Sequence, residues 1–214
     1  MTKIKITGVT TIEDAELVAA AGVDLVGIVF FAESARYVNA ETAWAIRDAL
    51  PSTIQLVGVF VDTPTPLVQR VIDQCRLDSA MLFGSEPRAA VESIRPHAFK
   101  AMTVESSVEV SAATRAYLGR RHGSGAPALM LHLAGEISTD WGVIARTTDR
   151  ARVLLAGDEL DADAVSEALR VAHPWGVDAW ETVEREPGVL EPGRLADFVA
   201  AVREADERGG TSGR

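Results

Sequence analysis

Eight short apolar runs at even spacing, each followed by an amphipathic stretch, predict a (β/α)8 barrel. The runs are nearly continuous in apolar character, as expected for strands that are buried on both faces of a parallel sheet. The chain has 214 residues, which suits a single barrel of this kind. No glycine-rich nucleotide-binding motif follows any run, which argues against the common open-sheet alternatives.

The predicted elements alternate along the whole chain, as in a TIM barrel. The strands are Lys3–Gly8, Asp24–Phe30, Gln55–Val61, Asp78–Phe83, Phe99–Val104, Ala128–Leu133, Arg152–Ala156 and Gly176–Ala179. The helices are Thr11–Ala21, Ala40–Leu50, Thr65–Gln74, Pro87–Ile94, Ser107–Leu118, Asp140–Ala145, Asp161–Ala172 and Pro192–Ala205.

Several helices carry recognisable start signals. Thr11, Asn39 and Asp161 stand where N-cap side chains belong. Thr65 followed by Pro66 is typical of an N-cap with proline at the first helical position.

The domain organisation is simple, because no composition break interrupts the chain before its end. We expect one barrel domain over residues 1–208 and a disordered tail over the Gly/Ser-rich residues 209–214. The segment Gly119–Pro127, which contains His122 and three glycines, indicates an irregular loop in which this histidine is solvated.

Composition excludes several classes of protein. The net charge of -10 argues against nucleic acid or an anionic membrane as a partner. No apolar run approaches the ~18 residues that span a bilayer, and the first residues lack a signal peptide's pattern. The single cysteine, Cys75, lies in a helical pattern and indicates packing. We expect a cytoplasmic protein, monomer or homodimer, that acts on a small-molecule substrate.

Several different short motifs follow one another along the chain in a characteristic order. They are Lys5-Ile6-Thr7-Gly8-Val9-Thr10 with Glu13-Asp14-Ala15, Gly27-Ile28-Val29-Phe30 with Ser34-Ala35-Arg36-Tyr37-Val38, Val57-Gly58-Val59-Phe60-Val61, Leu82-Phe83-Gly84-Ser85-Glu86, Lys100-Ala101, Asp140-Trp141, and Val177-Asp178 with Val183-Glu184 and Pro187-Gly188. In order and spacing they resemble the phosphoribosylanthranilate isomerase family over nearly the whole chain. This resemblance supports the barrel fold and common ancestry, whereas activity depends on the site residues.

The resemblance implies an Amadori rearrangement, in which an acid protonates a ring oxygen and a base removes a proton beside an imine carbon. The family's base is a cysteine that ends the first strand, where this chain has Thr7. A hydroxyl is too weakly acidic for that role, so Thr7 either binds substrate or fills space. The family's acid is an aspartate that ends the sixth strand, where this chain has Leu131 or His132, depending on register.

His132 is a candidate catalytic acid or base, since histidine exchanges protons near neutral pH. The competing interpretation is a hydrogen-bonded structural histidine. Asp158 and Glu181, at the ends of the seventh and eighth strands, are further candidate catalytic groups.

The family's phosphate loops are altered. Glu136, Asp158 and Glu181 bring carboxylates to all three loops, and Trp180 replaces a small residue. Like charges in a partly desolvated site repel by several kcal/mol at the order-of-magnitude level, so we expect these loops to reject phosphate.

Four further residues are candidates for substrate binding. Arg36 matches the family arginine that faces the anthranilate moiety, and guanidinium binds planar carboxylates in a bidentate manner. Its alternative is a salt bridge with Glu33 or another acid at the rim. Met81, Phe83 and Trp180 would make the mouth apolar and aromatic, or would repack a collapsed centre.

We expect no cofactor and no metal, since no metal-binding or cofactor motif is present in the sequence. The acids at the altered loops could in principle hold a hard cation.

These changes predict a divergent isomerase-like barrel enzyme of a specialised biosynthetic pathway. It would act on a non-phosphorylated small molecule by acid/base isomerisation, elimination or cyclisation. The alternatives are a retained phosphoribosylanthranilate isomerase of tryptophan biosynthesis with substituted catalytic residues, and a non-catalytic ligand-binding barrel.

Overall fold

The structure, a computed structural model, describes residues 1–118, 127–135 and 140–211. Its strands form a closed barrel in which each strand pairs with the next and the eighth pairs with the first. The predicted (β/α)8 barrel is therefore confirmed. The interpretations of His122 and Glu136 concern positions outside the described residues.

The barrel strands are β1 Lys3–Thr7, β2 Leu25–Val29, β3 Gln55–Phe60, β4 Ser79–Leu82, β5 Ala98–Val104, β6 Leu129–Leu133, β7 Val153–Gly157 and β8 Gly176–Ala179. The helices are α1 Ile12–Ala20, α2 Ala40–Ala49, α3 Thr65–Cys75, α4 Arg88–Ser93, α5 Ser107–Tyr117, α6 Trp141–Thr148, α7 Ala162–Ala172 and α8 Pro192–Thr211.

Side chains alternate between two cores along each strand, because successive strand residues point to opposite faces of the sheet. On β6, Leu131 packs in the outer core between strands and helices, whereas Met130 packs inside the barrel. The interior cluster consists of apolar side chains that most of the strands contribute. Its buried members are Leu25, Val29, Val57, Val59, Met81, Phe99, Ala101, Met130, Leu154, Ala156 and Trp180.

Local chemistry explains where most helices begin. The Thr11 side chain accepts a hydrogen bond from the Asp14 amide at 3.0 Å, and Asn39 accepts one from the Thr42 amide at 2.9 Å. Asp161 accepts from two amides of the first turn of α7, each at 3.0 Å. These three predicted N-caps are confirmed, and each satisfies a donor that the helix leaves unpaired.

The predicted N-cap at Thr65 is wrong by one residue. Pro64 occupies the cap position with extended backbone, Thr65 is already helical, and no side-chain cap bond forms. The two prolines that flank Thr65 each have a fixed φ near the helical value, so the turn is set by ring geometry without a side-chain cap.

A small ribbon after β8 has no counterpart in the predicted elements. A 3₁₀ turn at Glu181–Val183 leads into β9, Glu184–Glu186, which pairs antiparallel with β10, Val189–Leu190. Strands of two or three residues are too short to produce a periodic hydrophobic pattern. The ribbon folds back near the start of α1, where the Thr10 hydroxyl donates to the Gly188 carbonyl at 2.8 Å.

The last helix is longer than predicted, since α8 runs to Thr211 and includes three residues assigned to the tail. Residues 212–214 lie outside the described part. Within the described residues, none of the helices combines the length and apolar character needed to cross a membrane.

Three polar side chains are buried together where β1 meets β8. The Lys5 ammonium lies 2.7 Å from the Asp178 carboxylate, and the Thr7 hydroxyl lies 2.9 and 3.0 Å from its two oxygens. Lys5 also donates to the Thr7 hydroxyl. Burial raises the pKa of Asp178 and lowers the pKa of Lys5, while their pairing acts in the opposite sense. The three buried groups thus provide hydrogen-bond partners for one another where no water reaches them.

Gly27 on β2 makes room for this trio. A Cβ atom at position 27 would lie 2.6 Å from the Thr7 hydroxyl oxygen and 2.9 Å from the Lys5 ammonium nitrogen. Both distances are shorter than van der Waals contact, and neither group can move without losing a buried polar partner.

We predict that Gly27→Ala lowers the free energy of unfolding by roughly 1–3 kcal/mol, the usual cost of overpacking a core. Urea unfolding measures this change. Gly142→Ala is the matched control, because its Cβ would meet only an Asp140 oxygen at 3.7 Å in helix α6. That control should leave stability unchanged or slightly raised. Equal stability for both variants would show that the trio tolerates displacement.

Candidate functional site

The carboxyl ends of the eight strands form one mouth of the barrel, where TIM-barrel sites lie. The alternation of β6 settles which of its residues reaches this mouth. Leu131 points into the outer core, while the His132 ring lies 5.3 Å from the Trp180 ring and 6.1 Å from the Phe83 ring. His132 therefore stands where the sequence resemblance places the family's acid.

His132 is paired with the first residue beyond β7. Its Nε2 lies 3.1 Å from an Asp158 carboxylate oxygen. The Asp158 side chain is 70 % exposed, whereas only 8 % of His132 is accessible. A carboxylate beside Nε2 favours the tautomer that carries its proton there, which leaves Nδ1 with the lone pair in the neutral ring. Two of the three candidate catalytic residues are thus brought together.

Phe83 and Trp180 cover the mouth beside this histidine. Their rings are stacked, with centroids 5.8 Å apart and planes inclined by 20°. Within the described residues, neither the Trp180 Nε1 nor the His132 Nδ1 has a hydrogen-bond partner, although both atoms are buried. Buried polar atoms without partners cost free energy, so a polar group that hydrogen-bonds to these two atoms would stabilise the mouth.

Thr7 and Met81 lie deeper than the sequence suggested. Thr7 is fully buried and hydrogen-bonded within the β1–β8 trio. Met81 is fully buried in the interior core, so it packs the barrel and does not line an accessible mouth. Phe83 lies two residues after Met81, one past the end of β4, and is partly exposed, because each step of two residues moves a side chain towards the rim.

Lys100 holds the strand end that presents Phe83. Its ammonium donates to the carbonyls of Leu82 at 3.0 Å and Gly84 at 2.5 Å, and lies 3.1 Å from the Glu86 carboxylate. The carbonyls on both sides of Phe83 are therefore fixed by one buried cation.

Arg36 is held by two glutamates and not by Glu33. Its Nε and Nη2 donate to the Glu184 carboxylate at 2.8 and 2.6 Å, and Nη2 lies 3.0 Å from Glu181. Hydrogen bonding to Glu184 raises the pKa of Arg36. Among the described residues Nη1 takes no partner. The expected bidentate binding of a ligand carboxylate is thus pre-empted on the Nε/Nη2 edge, since Glu184 occupies it.

Glu184 is the functional residue that sequence reasoning missed. It is buried, and it also accepts a hydrogen bond from the Gly188 amide at 3.1 Å. Gly8 provides the space for the pair, because a Cβ there would lie 2.8 Å from the Arg36 side chain and 2.9 Å from a Glu184 oxygen. The motif Val183-Glu184 with Pro187-Gly188 was the available signal, although 148 residues separate Glu184 from Arg36.

Other features near the mouth do not form a second site. A cavity of about 140 Å³ opens between the ends of β6 and β7 and helices α6 and α7; it is lined by Leu133, Trp141, Gly157, Glu159, Leu160, Ala164 and Glu167. It lies outside the barrel interior and contains none of the candidate site residues. In the part of the chain that the structure describes, no cluster of side chains could hold a metal ion.

Comparison with known proteins assigns the family. The family model described as N-(5'phosphoribosyl)anthranilate (PRA) isomerase matches residues 4–201. The N-(5'-phosphoribosyl)anthranilate isomerase of Citrifermentans bemidjiense is 35% identical, over 95% of this chain and 98% of the relative.

Solved structures agree with this match. A phosphoribosylanthranilate isomerase in complex with reduced 1-(o-carboxyphenylamino)-1-deoxyribulose 5-phosphate has a TM-score of 0.84 and 29% identity, covering 95% of this chain and all (100%) of its own. The dimeric enzyme of Thermotoga maritima, solved in a monomeric form, has a TM-score of 0.83 and 29% identity, with the same coverage of both chains. This chain belongs to the N-(5'-phosphoribosyl)anthranilate isomerase family.

Proposed function

We propose that this chain catalyses its family's reaction, the rearrangement of N-(5'-phosphoribosyl)anthranilate to an aminoketose in tryptophan biosynthesis. The family match over residues 4–201 favours this alternative over the divergent enzyme for a non-phosphorylated substrate that the sequence predicted. The observation that carries the proposal is His132. It is the next-to-last residue of β6 and faces the mouth, with Nε2 on Asp158 and Nδ1 unpartnered among the described residues.

His132 would serve first as the acid. As imidazolium it donates a proton to the ring oxygen of the sugar, the bond from that oxygen to the anomeric carbon breaks, and the nitrogen lone pair forms an iminium. Asp158 stabilises the imidazolium and keeps the ring in one orientation, as a carboxylate does for other catalytic histidines.

The neutral ring that remains would then serve as the base. Its Nδ1 removes the proton from the carbon next to the iminium carbon. The C–H electron pair forms the carbon–carbon double bond of an enaminol, and the π pair of the C=N bond returns to nitrogen. The enaminol becomes the aminoketone by exchanging protons with water, and His132 has regained its proton. One imidazole can thus replace both family groups, which explains how Thr7 is tolerated at the base position.

The remaining candidate residues would position the catalytic histidine, bind the substrate or shape the mouth. Asp158 orients His132, and Arg36 offers Nη1 to the anthranilate carboxylate. Glu181 competes with that carboxylate, since it lies 3.0 Å from Nη2 of Arg36. Thr7 stays within the β1–β8 trio, which fixes the floor of the mouth.

A second candidate function is the same acid/base chemistry on a substrate without phosphate. Asp158 and Glu181 favour it, because both place carboxylates at loops that hold phosphate in the family. Trp180 favours it as well, since an indole occupies the position of a small residue at the end of β8.

We predict that His132→Asn lowers kcat by roughly 10²–10⁴-fold, the usual contribution of a general acid or base. Asp158→Asn should lower kcat less, because the imidazole itself remains. Turnover is followed by the change in anthranilate fluorescence, with thermal unfolding recorded for each variant. His173→Asn is the control: His173 is exposed and has positive φ at the end of α7, a conformation that asparagine adopts readily. Wild-type turnover that survives in His132→Asn would exclude the proposed role.

We predict that Glu181→Gln lowers KM for the anthranilate substrate by roughly 5- to 30-fold, about 1–2 kcal/mol, because it removes a charge beside Arg36 that repels the substrate carboxylate. Glu186→Gln is the matched control, because Glu186 contacts Arg185 at 3.8 Å and lies at the exposed end of β9. A large fall in kcat with unchanged KM would instead make Glu181 a proton-transfer group, as the sequence suggested.

The proposed function requires these loops to hold phosphate despite the carboxylates of Asp158 and Glu181, contrary to the rejection expected from the sequence. We therefore predict that inorganic phosphate competes with the phosphorylated substrate at millimolar concentrations, and that the dephosphorylated substrate is turned over with a higher KM. Steady-state kinetics with both substrates, at constant ionic strength, measure this difference. Faster turnover of the dephosphorylated compound, with no competition by phosphate, would establish the second candidate function and reject the first.

A further inference from the structure

The buried N–H of Trp180 lies at the mouth without a described partner. Trp180 is 9 % exposed, and its indole packs against two rings: it stacks on Phe83 and meets His132 nearly edge-on at 63°. An indole N–H can only donate, so its buried state favours a ligand acceptor at that position.

His132 supplies the complementary atom. With its Nε2 proton directed to Asp158, the neutral ring leaves the buried Nδ1 as an acceptor. The donor on Trp180 and the acceptor on His132 belong to rings whose centroids are only 5.3 Å apart. Together they could contact a single substrate carbon that carries both a hydrogen and a hydroxyl group. The acceptor takes the hydrogen, and the donor binds the oxygen.

We propose that Trp180 is a further catalytic residue, whose Nε1–H donates a hydrogen bond to the hydroxyl oxygen on the carbon that His132 deprotonates. The inference rests on the proposed function. As the C–H bond breaks, its electron pair forms the carbon–carbon double bond and the C=N π pair returns to the iminium nitrogen. The proton goes to Nδ1, and the oxygen becomes an enol oxygen. A donor already in place at that oxygen stabilises this change without reorganisation.

The surroundings of Trp180 favour a fixed donor. Asp178, two residues earlier, is tied to Lys5 at 2.7 Å, and Val183, three residues later, donates its amide to the Trp180 carbonyl at 3.1 Å. Phe83 stacks on the indole, and Lys100 fixes the carbonyls on both sides of Phe83. The indole is therefore held by both its backbone and its ring.

The first test is a kinetic comparison of Trp180→Phe with wild type. Phenylalanine keeps the aromatic contact but removes the N–H, so kcat should fall roughly 10- to 100-fold while KM changes little. Trp44→Phe is the matched control, because Trp44 is 45% exposed on helix α2. Unchanged kcat in Trp180→Phe, with an active wild type, overturns the role of Trp180 and leaves the proposed function standing.

The second test uses the wild-type protein and does not depend on turnover. The four tryptophans give four indole N–H signals in a nitrogen-15 NMR spectrum. Titration with reduced 1-(o-carboxyphenylamino)-1-deoxyribulose 5-phosphate, whose hydroxyl replaces the product ketone, should shift the Trp180 proton downfield as in a new hydrogen bond. The Trp180 signal is identified as the one that is missing from the spectrum of Trp180→Phe. It is also the one that remains in the spectra of the other three Trp→Phe variants.

The two tests separate the two proposals. An inactive wild type in which the ligand shifts the Trp180 signal rejects the isomerase assignment and supports the donor. If calorimetry shows that the ligand binds but the Trp180 signal does not shift, the proposed hydrogen bond from Trp180 is overturned, whether or not the enzyme is active. A ligand that fails to bind overturns both.

Discussion

The buried contact between Lys5 and Asp178 is the constraint on which the barrel mouth depends. Removing two charges from water costs several kcal/mol per ion, and only close pairing with further hydrogen bonds offsets that cost. Here the ions lie 2.7 Å apart and the Thr7 hydroxyl supplies an additional bond. Because these residues come from the first and last strands, their pairing fixes the register at which the barrel closes, with Lys5 opposite Asp178.

The β1–β8 register determines where the residues of the mouth lie. Trp180 follows Asp178 by two residues, so its indole is placed over the mouth once β8 is in position. The β9–β10 ribbon that follows β8 places Glu184 beside Arg36. There the buried carboxylate accepts two hydrogen bonds from the guanidinium. The arginine is thus oriented before any ligand arrives, which reduces the conformational entropy that binding must remove.

Local patterns in the sequence predicted the fold well and the site only in part. The caps at Thr11, Asn39 and Asp161 were predictable because each depends on three or four adjacent residues. Strand alternation could also have assigned His132 to the interior, had the register of β6 been known. The pairing of Arg36 with Glu184 was not predictable, since their sequence separation is 148 residues and several acids were available. Similarly, the period of two predicts that Met81 and Phe83 share a face, but their depth in the barrel depends on where β4 ends.

The closure of β1 on β8 also determines the order in which the protein can assemble. Neighbouring strands elsewhere begin roughly 20 to 30 residues apart, whereas Lys5 and Asp178 are separated by 173 residues. Each doubling of a loop costs about 0.6 kcal/mol, so this closure costs only ~1.7 kcal/mol more than the others. Timing is the larger consequence. At roughly 5–20 residues per second, about ten seconds or more of synthesis separate the two charges. β1 therefore gains its second neighbour only after β8 has been synthesised, and Lys5 stays hydrated until then.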